Sequence, residues 1–110
     1  MRDTTRLHVL RDIIQVIGRL RPIVDIIARR DRALADQIRR AASSVALNLA
    51  EGAGSSGGNR RARYETALGS TQEVRVALEV AAAWGYVEPR PDLDDALDHI
   101  AARAYKLARS

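Results

Sequence analysis

Apolar residues recur at helical spacing along most of the chain, and this periodicity limits the fold more than any other feature of the sequence. From about Thr5 to Arg30 many of them are β-branched, which slightly favours a strand. Their spacing decides otherwise, because they recur at intervals of three and four rather than at every second residue. The members of this stripe are Leu7, Leu10, Ile14, Ile17, Val24 and Ile27. The first stretch is therefore predicted to be a helix, which Pro22 bends or interrupts near Gly18 to Leu20.

Three more helices are predicted from the same spacing. They run over Arg32 to Ala53, Arg60 to Trp84 and Leu93 to Ala108. The second is expected to end in a left-handed conformation at Gly52 or Gly54, and Asn59 is expected to cap the third. Gly85 is a suitable terminator for the third helix, because two prolines follow it before Asp92, the expected cap of the fourth.

Short connections between four helices predict a single domain over residues 1–110, an all-α antiparallel bundle with up-down-up-down topology. The apolar residues of the first helix cover an arc of about 200°, roughly twice what one seam of a bundle requires. We therefore expect another subunit to cover a second side of this helix. A bend at Pro22 would also spread the arc and is the alternative explanation.

Several kinds of chemistry are excluded by composition. The chain contains no cysteine, so it has no disulfide, no thiolate zinc site and no thiol nucleophile. Its two histidines, His8 and His99, have no companion at a ligand spacing, and the Glu-x-x-His pattern of di-iron bundles is absent. Ser43 and Ser44 have no histidine near them in sequence. We therefore expect no catalytic residue, no metal and no cofactor.

The expected location follows from the hydropathy of the chain. No apolar run approaches the roughly 18 residues that a membrane span requires. The segment Met1–Thr5 leads into interspersed charges and lacks the apolar centre of a signal peptide. These features predict a cytoplasmic protein without a membrane partner.

Arginine supplies 17 of the 18 basic residues, and most of it lies in the first part of the chain. Residues 1–63 hold 13 arginines against 6 acids, whereas residues 64–110 hold 5 basic residues against 8 acids. Guanidinium groups bind phosphate through paired hydrogen bonds, which suits a nucleic-acid partner. A GC-rich genome that encodes arginine wherever lysine would serve explains the excess equally well.

Two groups of arginines near predicted helix ends are the candidate phosphate contacts. Arg30 and Arg32 flank the first connection, while Arg60, Arg61 and Arg63 follow the glycine-rich loop. Because the second helix spans about 30 Å, the two groups are expected at opposite ends of the subunit. A ring of subunits would multiply each group into a basic collar. The alternative interpretation is that these arginines are ordinary solvated helix ends.

The glycine-rich loop from Gly52 to Asn59 is a second candidate site. Bare amides at a helix N-terminus can hold an anion, although the Gly-Lys-Ser/Thr ending of a Walker A loop is absent. A flexible connection is the favoured alternative. The single tryptophan, Trp84, is expected in the core or at an interface rather than as a platform for stacked bases.

Polar stripes on the second and third helices are expected to meet. If the two helices pair around the glycine-rich loop, facing residues have numbers that sum to about 113. Arg40 then faces Glu73, Ser44 faces Gly69, and Asn48 faces Glu65. The stripe on the second helix consists of Arg40, Ser44, Asn48 and Glu51, and that on the third of Glu65, Gly69 and Glu73.

We interpret these stripes as a structural network that fixes helix register, with Gly69 allowing close contact at its centre. A buried Arg40–Glu73 pair must be well matched to offset the cost of desolvation. The alternatives are a ligand or catalytic pocket between the helices and a different register.

The same region carries a family resemblance. The run from Gln37 to Gly52, QIRRAASSVALNLAEG, is similar to the signature of the 23S rRNA intervening-sequence proteins, also described as four helix bundle proteins. A second block agrees in order and spacing: Tyr64, Ala67-Leu68-Gly69-Ser70, Glu73 and Gly85-Tyr86-Val87. The two blocks span about half of the chain. The first and fourth helices carry little of the resemblance.

The resemblance implies an antiparallel four-helix bundle that assembles as a ring-shaped homopentamer. A relative in this family is the accessory protein of diversity-generating retroelements, a basic pentameric barrel that binds a reverse transcriptase and nucleic acid. That protein looks basic throughout, whereas the C-terminal half of this chain is acidic. This difference weakens the transfer of nucleic-acid binding but not that of the fold.

Taken together, these features predict a non-catalytic, oligomeric binding or scaffold protein. Its arginine collars are expected to contact nucleic acid, either DNA or RNA, or a nucleic-acid enzyme such as a reverse transcriptase. The first alternative is a purely protein–protein adaptor that uses the surplus apolar face of the first helix. The second is a small-molecule enzyme with a pocket between helices.

Overall fold

The computed structural model describes residues 5–110, and this range contains four helices and no strand. The start of the chain, on which the expectation of no leader partly rests, lies outside the described range. The helices are α1 (Thr5–Arg30), α2 (Arg32–Ala53), α3 (Gly57–Ala83) and α4 (Pro91–Arg109). The all-α fold is therefore confirmed, as are the predicted bounds of α1 and α2.

Helix α1 continues through Pro22 without interruption, contrary to one of the two predicted outcomes. Proline lacks the N–H that would reach the carbonyl of Gly18, four residues earlier. Both Gly18 and Pro22 lie on the exposed side of the helix, so water can satisfy that carbonyl. The core side of α1 keeps its hydrogen bonds and its buried isoleucine, leucine and valine side chains.

Some predicted helix ends differ from the observed ones. Helix α3 begins at Gly57 after Ser56, so Asn59 lies inside the helix and does not cap it. Asp92 likewise lies inside the first turn of α4, which begins at Pro91. The end of α3 is as expected, because Gly85 has a φ of 78° and donates to the carbonyl of Ala82. The N–H of the next residue, Tyr86, reaches the Ala81 carbonyl, which completes a Schellman cap.

The core is built from small and branched side chains of all four helices. Each helix contacts the next along the chain, and α1 also contacts α4. Tyr64 is the largest of the fully buried side chains, and isoleucine, leucine, valine and alanine supply most of the remainder. Alanines buried on α2 and α3 let these two helices approach closely.

Gly52 is the glycine whose lack of a side chain the packing requires. It lies within α2 and does not adopt a left-handed conformation, and neither does Gly54. A Cβ at Gly52 would stand 2.6 Å from Cε1 of the Tyr64 ring and 3.0 Å from two further ring atoms. The buried tyrosine therefore packs directly on the α2 backbone.

We expect the substitution Gly52→Ala to lower the free energy of unfolding by about 1–3 kcal/mol, because the buried ring must shift to accept the methyl group. Gly69→Ala is the matched control. It lies within α3, is exposed, and has no atom within 4 Å of a built Cβ. Alanine is the better helix former, so this variant should gain about 0.5–1 kcal/mol. Urea unfolding followed by circular dichroism measures both, and equal effects would refute the close contact.

Candidate functional site

The seam between α2 and α3 holds a short chain of neutral polar contacts. The hydroxyl oxygens of Ser44 and Ser70 lie 2.9 Å apart and share a hydrogen bond. The side-chain nitrogen Nδ2 of Asn48 donates to the Ser44 backbone carbonyl at 2.9 Å and to the Ser44 hydroxyl at 3.1 Å. Ser44 therefore faces Ser70 instead of Gly69, and the predicted register is displaced by one residue. All three side chains are half-buried.

The predicted Arg40–Glu73 pair is wrong. Both side chains are exposed, and within residues 5–110 neither makes an ion pair or a side-chain hydrogen bond. They lie on the solvent side of the seam, where a pair would gain little and would lose side-chain entropy. Gly69 is also exposed with open space around it, so it does not mediate close contact.

Two other predicted members of the polar stripes form ion pairs with different partners. The Glu51 carboxylate accepts from Nε of Arg63 at 3.0 Å, which joins α2 to α3. The Glu65 carboxylate accepts from Arg109 of α4 at 3.0 Å, so it does not face Asn48 as predicted. The ionic contacts thus tie three helices together at the surface.

The most developed ion cluster lies between α3 and α4, and the sequence does not predict it. Arg75 donates through Nε and Nη2 to the two carboxylate oxygens of Asp94, at 2.9 and 3.1 Å. Its Nη1 also donates to Asp98 at 3.1 Å. The position of these acids near the start of a helix indicates capping and surface roles, and their spacing gives no sign of a partner on another helix.

The paired charges shift the pKa values of this cluster in the expected directions. The hydrogen bonds that Arg75 donates to the Asp94 carboxylate lower the pKa of Asp94 and raise the pKa of Arg75. At the start of α4, hydrogen bonds from Arg90, and then from Arg19, hold the pKa of Asp92 well below its usual range. These carboxylates therefore stay ionised at neutral pH.

The first predicted arginine group lies on an ordered platform at the α1–α2 junction. The guanidinium of Arg30 lies over the ring of Tyr86, 5.6 Å from its centroid. The Tyr86 hydroxyl donates to one oxygen of Asp31 at 3.3 Å, while the other oxygen accepts from the Leu34 amide at 3.0 Å. Asp31 therefore caps α2, a role that an aspartate just before a helix can indicate in sequence. Arg32 is exposed and makes no ion pair within the described range.

The second predicted group, at the start of α3, is less available. Arg63 pairs with Glu51, and Nε of Arg60 donates to the Ser55 carbonyl at 3.1 Å. Of the three, Arg61 alone is exposed and makes no ion pair or side-chain hydrogen bond among residues 5–110. The two groups lie at the two ends of α2, which is about 33 Å long at 1.5 Å per residue.

The predicted loop from Gly52 to Asn59 is shorter in the structure, because α2 ends at Ala53 and α3 begins at Gly57. The Ser55 hydroxyl donates to the Glu51 carbonyl at 2.7 Å. The guanidinium of Arg60 also donates to a backbone carbonyl of this connection, that of Ser55. These two bonds order the connection, whereas Ser56, the residue before α3, makes no side-chain capping hydrogen bond within residues 5–110.

An open cleft of about 440 Å³ lies where the α3–α4 connection meets α4. Its walls are mainly apolar, and its charged residues are Arg75, Glu79, Glu88, Arg90 and Asp94. Three of these are engaged in the ion pairs described above, and none is a histidine. Groups of three or more potential metal ligands do not occur within residues 5–110.

Two further expectations concern exposure and membrane insertion. The sequence predicts Trp84 in the core or at an interface; it is 68% exposed, so it does not lie in the core, and a place at an interface stays a prediction. It lies at the same end of the bundle as Arg30, directly after the last residue of α3.

Across residues 5–110, the helices are all too short or too polar to cross a bilayer.

The lowered pKa of Asp94 has a consequence for stability in acid. A carboxyl whose folded pKa lies below its unfolded value of about 3.9 stabilises the fold above that pH, and the contribution is lost as pH falls further. We expect Asp94→Asn to lower the free energy of unfolding at pH 7 by less than about 1 kcal/mol, because the pair is partly solvated. The difference in stability between the variant and the unmodified chain should shrink as the pH falls below the pKa of the unfolded carboxyl.

The control for this experiment is Asp95→Asn, which removes the same charge from the adjacent residue. Asp95 is exposed and makes no ion pair or hydrogen bond with residues 5–110. Denaturant unfolding at several pH values measures both variants. A loss in Asp95→Asn as large as that in Asp94→Asn would attribute the effect to the helix dipole instead of to Arg75.

Comparison with known proteins places this fold. Residues 9–107 match the family model described as 23S rRNA-intervening sequence protein. A solved structure from Bacteroides thetaiotaomicron VPI-5482, described as a protein of unknown function from the S23 ribosomal protein family, has a TM-score of 0.84. The match covers 96% of this chain and 99% of that one at 14% identity, which shows a shared fold. No curated protein sequence matches this chain. Because the family match extends through all four helices, this chain belongs to the 23S rRNA-intervening sequence protein family.

Proposed function

We propose that this chain is a non-catalytic, oligomeric binding or scaffold protein of the cytoplasm. Its arginines at the ends of the bundle contact nucleic acid, or an enzyme that acts on nucleic acid, such as a reverse transcriptase. The proposal joins the family resemblance to the placement of the arginines in the structure. The family takes its name from intervening sequences in 23S rRNA, and that name specifies no activity.

The proposal includes an up-down-up-down bundle that closes into a homopentameric ring. The antiparallel topology is supported by ion pairs in which the residue number on one helix rises while that of the partner on the neighbouring helix falls. Asp12 with Arg103 and Arg19 with Asp92 join α1 to α4 in this way. The ring is supported by the resemblance alone, and it would repeat each arginine group around a collar.

The nucleic-acid proposal rests on the unpaired arginines at the α1–α2 junction. Arg30 and Arg32 lie there without a carboxylate partner among residues 5–110, and Arg30 is positioned by the Tyr86 ring. At the other end, Glu51 neutralises Arg63. Free guanidinium groups attract phosphate, whereas paired ones must first give up a carboxylate. The junction is therefore the main phosphate contact in this proposal.

The non-catalytic part rests on the charged groups of the cleft between α3 and α4. General acid–base catalysis requires a group that exchanges protons near neutral pH. Here the carboxylate of Asp94 is held ionised by Arg75, and Arg90 pairs with Asp92. The enzyme alternative would have to rest on Glu79 and Glu88, which also line the cleft and make no ion pair among residues 5–110.

The double variant Arg30→Gln/Arg32→Gln tests the phosphate contact. We expect it to weaken binding to single- or double-stranded nucleic acid by about tenfold or more at roughly 50 mM salt. The slope of log affinity against log salt should also become shallower, by about one for each phosphate that the variant no longer binds. Fluorescence anisotropy with labelled oligonucleotides measures both quantities.

The control variant Arg39→Gln/Arg103→Gln removes the same total charge from the shafts of the helices. Both of these arginines are occupied by acids, Arg39 by Asp25 and Asp36 and Arg103 by Asp12. It should change affinity far less than the junction variant. Equal losses would show a general charge effect, and no binding of the unmodified chain at low salt would reject the proposal.

A second candidate function is a protein–protein adaptor that does not bind nucleic acid. It is favoured by large apolar side chains left exposed on α1, among them Leu7 and Ile14. Such side chains are typical of surfaces that a partner covers. Salt separates the two functions, because phosphate contacts weaken steeply with added salt and apolar ones do not.

The ring is tested by the mass of the assembly. Light scattering coupled to size-exclusion chromatography should give about five times the mass of one chain for a homopentamer. Association through apolar surfaces should survive added salt. A single-chain mass at every concentration would remove both the ring and the collar.

A further inference from the structure

One surface without a role in the proposed arginine contacts is a ridge on α1. We define the α1 ridge as Leu7, Leu10, Ile14 and Ile17, which follow one another at intervals of three, four and three. Leu7 is 50% exposed and Ile14 is 55% exposed, whereas the other two rest partly on the core. This spacing is that of a helix that packs lengthwise against another element.

A second surface is an open groove between α2 and α3, with a volume of about 470 Å³. We define the α2–α3 groove by its lining: Leu34, Gln37, Gly69, Gln72, Glu73, Val76, Ala77 and Val80. Val76 is 58% exposed, and the open space beside Gly69 leaves the groove accessible from outside. The stripe Val76, Val80 and Trp84 continues along α3 at intervals of four.

The two surfaces belong to different sides of the bundle. The main neighbours of α1 are α2 and α4, while the groove lies between α2 and α3. A single copy therefore cannot place its own ridge in its own groove. A second copy can, and it would leave one ridge and one groove free at the ends of the pair.

The charges beside the two surfaces are complementary. Arg11 and Arg21 follow Leu7 and Ile17 by one helical turn, and both are exposed without an ion pair among residues 5–110. Glu73 lies in the groove and is likewise unpaired in this range. Arginine beside the ridge and glutamate in the groove would pair across such a contact.

We propose that the α1 ridge of one copy packs into the α2–α3 groove of the next. This inference rests on the assembly in the proposed function and names the surfaces that form it. Because ridge and groove are different surfaces, the contact is heterologous and propagates until a ring closes. The surplus apolar arc of α1 is then covered by the neighbouring subunit.

Two single variants block the two surfaces separately. Ile14→Glu places a charge on the ridge and leaves the groove intact, while Val76→Glu does the reverse. Both residues are exposed, so circular dichroism should show the same helix content as in the unmodified chain. Each variant alone is expected to fall to single-chain mass at a concentration where the unmodified chain is assembled.

An equal mixture of the two variants gives the decisive result. The intact ridge of Val76→Glu fits the intact groove of Ile14→Glu, and the remaining ridge and groove both carry glutamate and repel. The mixture should therefore form a dimer with one chain of each variant and grow no further. Light scattering and native mass spectrometry with one chain isotopically labelled measure this directly.

Ile26→Glu is the matched control, since it makes the same change on the same helix outside the ridge. It should retain the assembled mass. Trp84 gives a second measurement, because it is the single tryptophan and continues the groove stripe. The emission maximum of Trp84 should shift to longer wavelength when dilution dissociates the assembly of unmodified chains. Dissociation without such a shift would count against the groove as the contact surface.

The possible failures are distinguishable. If the unmodified chain is a single-chain species at all concentrations, the ring of the proposed function and this inference both fall. If the unmodified chain assembles but either variant keeps the assembled mass, the ring stands and the surfaces are wrong. If both variants dissociate and their mixture stays monomeric, an intact ridge and an intact groove do not bind each other and the inference is overturned.

Discussion

The packing of the Tyr64 ring on the backbone at Gly52 is the constraint on which the central hairpin depends. It brings the end of α2 into direct contact with the first part of α3, beside their short connection. From that point the register extends along the seam, through the Glu51–Arg63 pair and then the hydrogen bond between Ser44 and Ser70. These contacts hold α3 along the length of α2, and the two arginine groups lie at the two ends of α2.

Surface charge in this chain divides into groups that hold helices together and groups that remain free. Arg75, Arg103 and Arg109 each join α4 to another helix through an acid. Arg30 and Arg32 have no such partner within the described residues, which is the reason the junction carries the proposed phosphate contact. Acids of the C-terminal half neutralise Arg75 and Arg109, whereas Arg11, Arg21 and Arg40 along the helices and Arg61 at the other end have no ion pair among residues 5–110. Large exposed apolar side chains occur on all four helices, among them Leu7 and Ile14 on α1 and Val76 on α3, and Trp84 lies at the end of the bundle that holds Arg30.

Much of the fold could be predicted from the sequence, because helix type depends on local spacing. The bounds of α1 and α2 were predictable, and so was the Gly85 terminator. The start of α3 was missed because Gly57 and Gly58 resemble a loop, although glycine is tolerated in a first helical turn. The Arg40–Glu73 pair failed for a different reason: sequence spacing gives the face on which a residue lies, but not its depth relative to a seam. The Arg75–Asp94 pair joins residues 19 apart across a connection, which no local pattern reveals.

The junction between α1 and α2 consists of one residue outside a helix, Asp31. Its carboxylate caps α2 and receives the Tyr86 hydroxyl, and its backbone N–H reaches the Ile27 carbonyl at 2.7 Å. A connection of one residue cannot accommodate a change in chain length without moving one of the two helices. One inserted residue that extended either helix would turn it by about 100° and rotate its apolar stripe away from the core. Homologous chains should therefore vary in length at the other connections and keep this one constant.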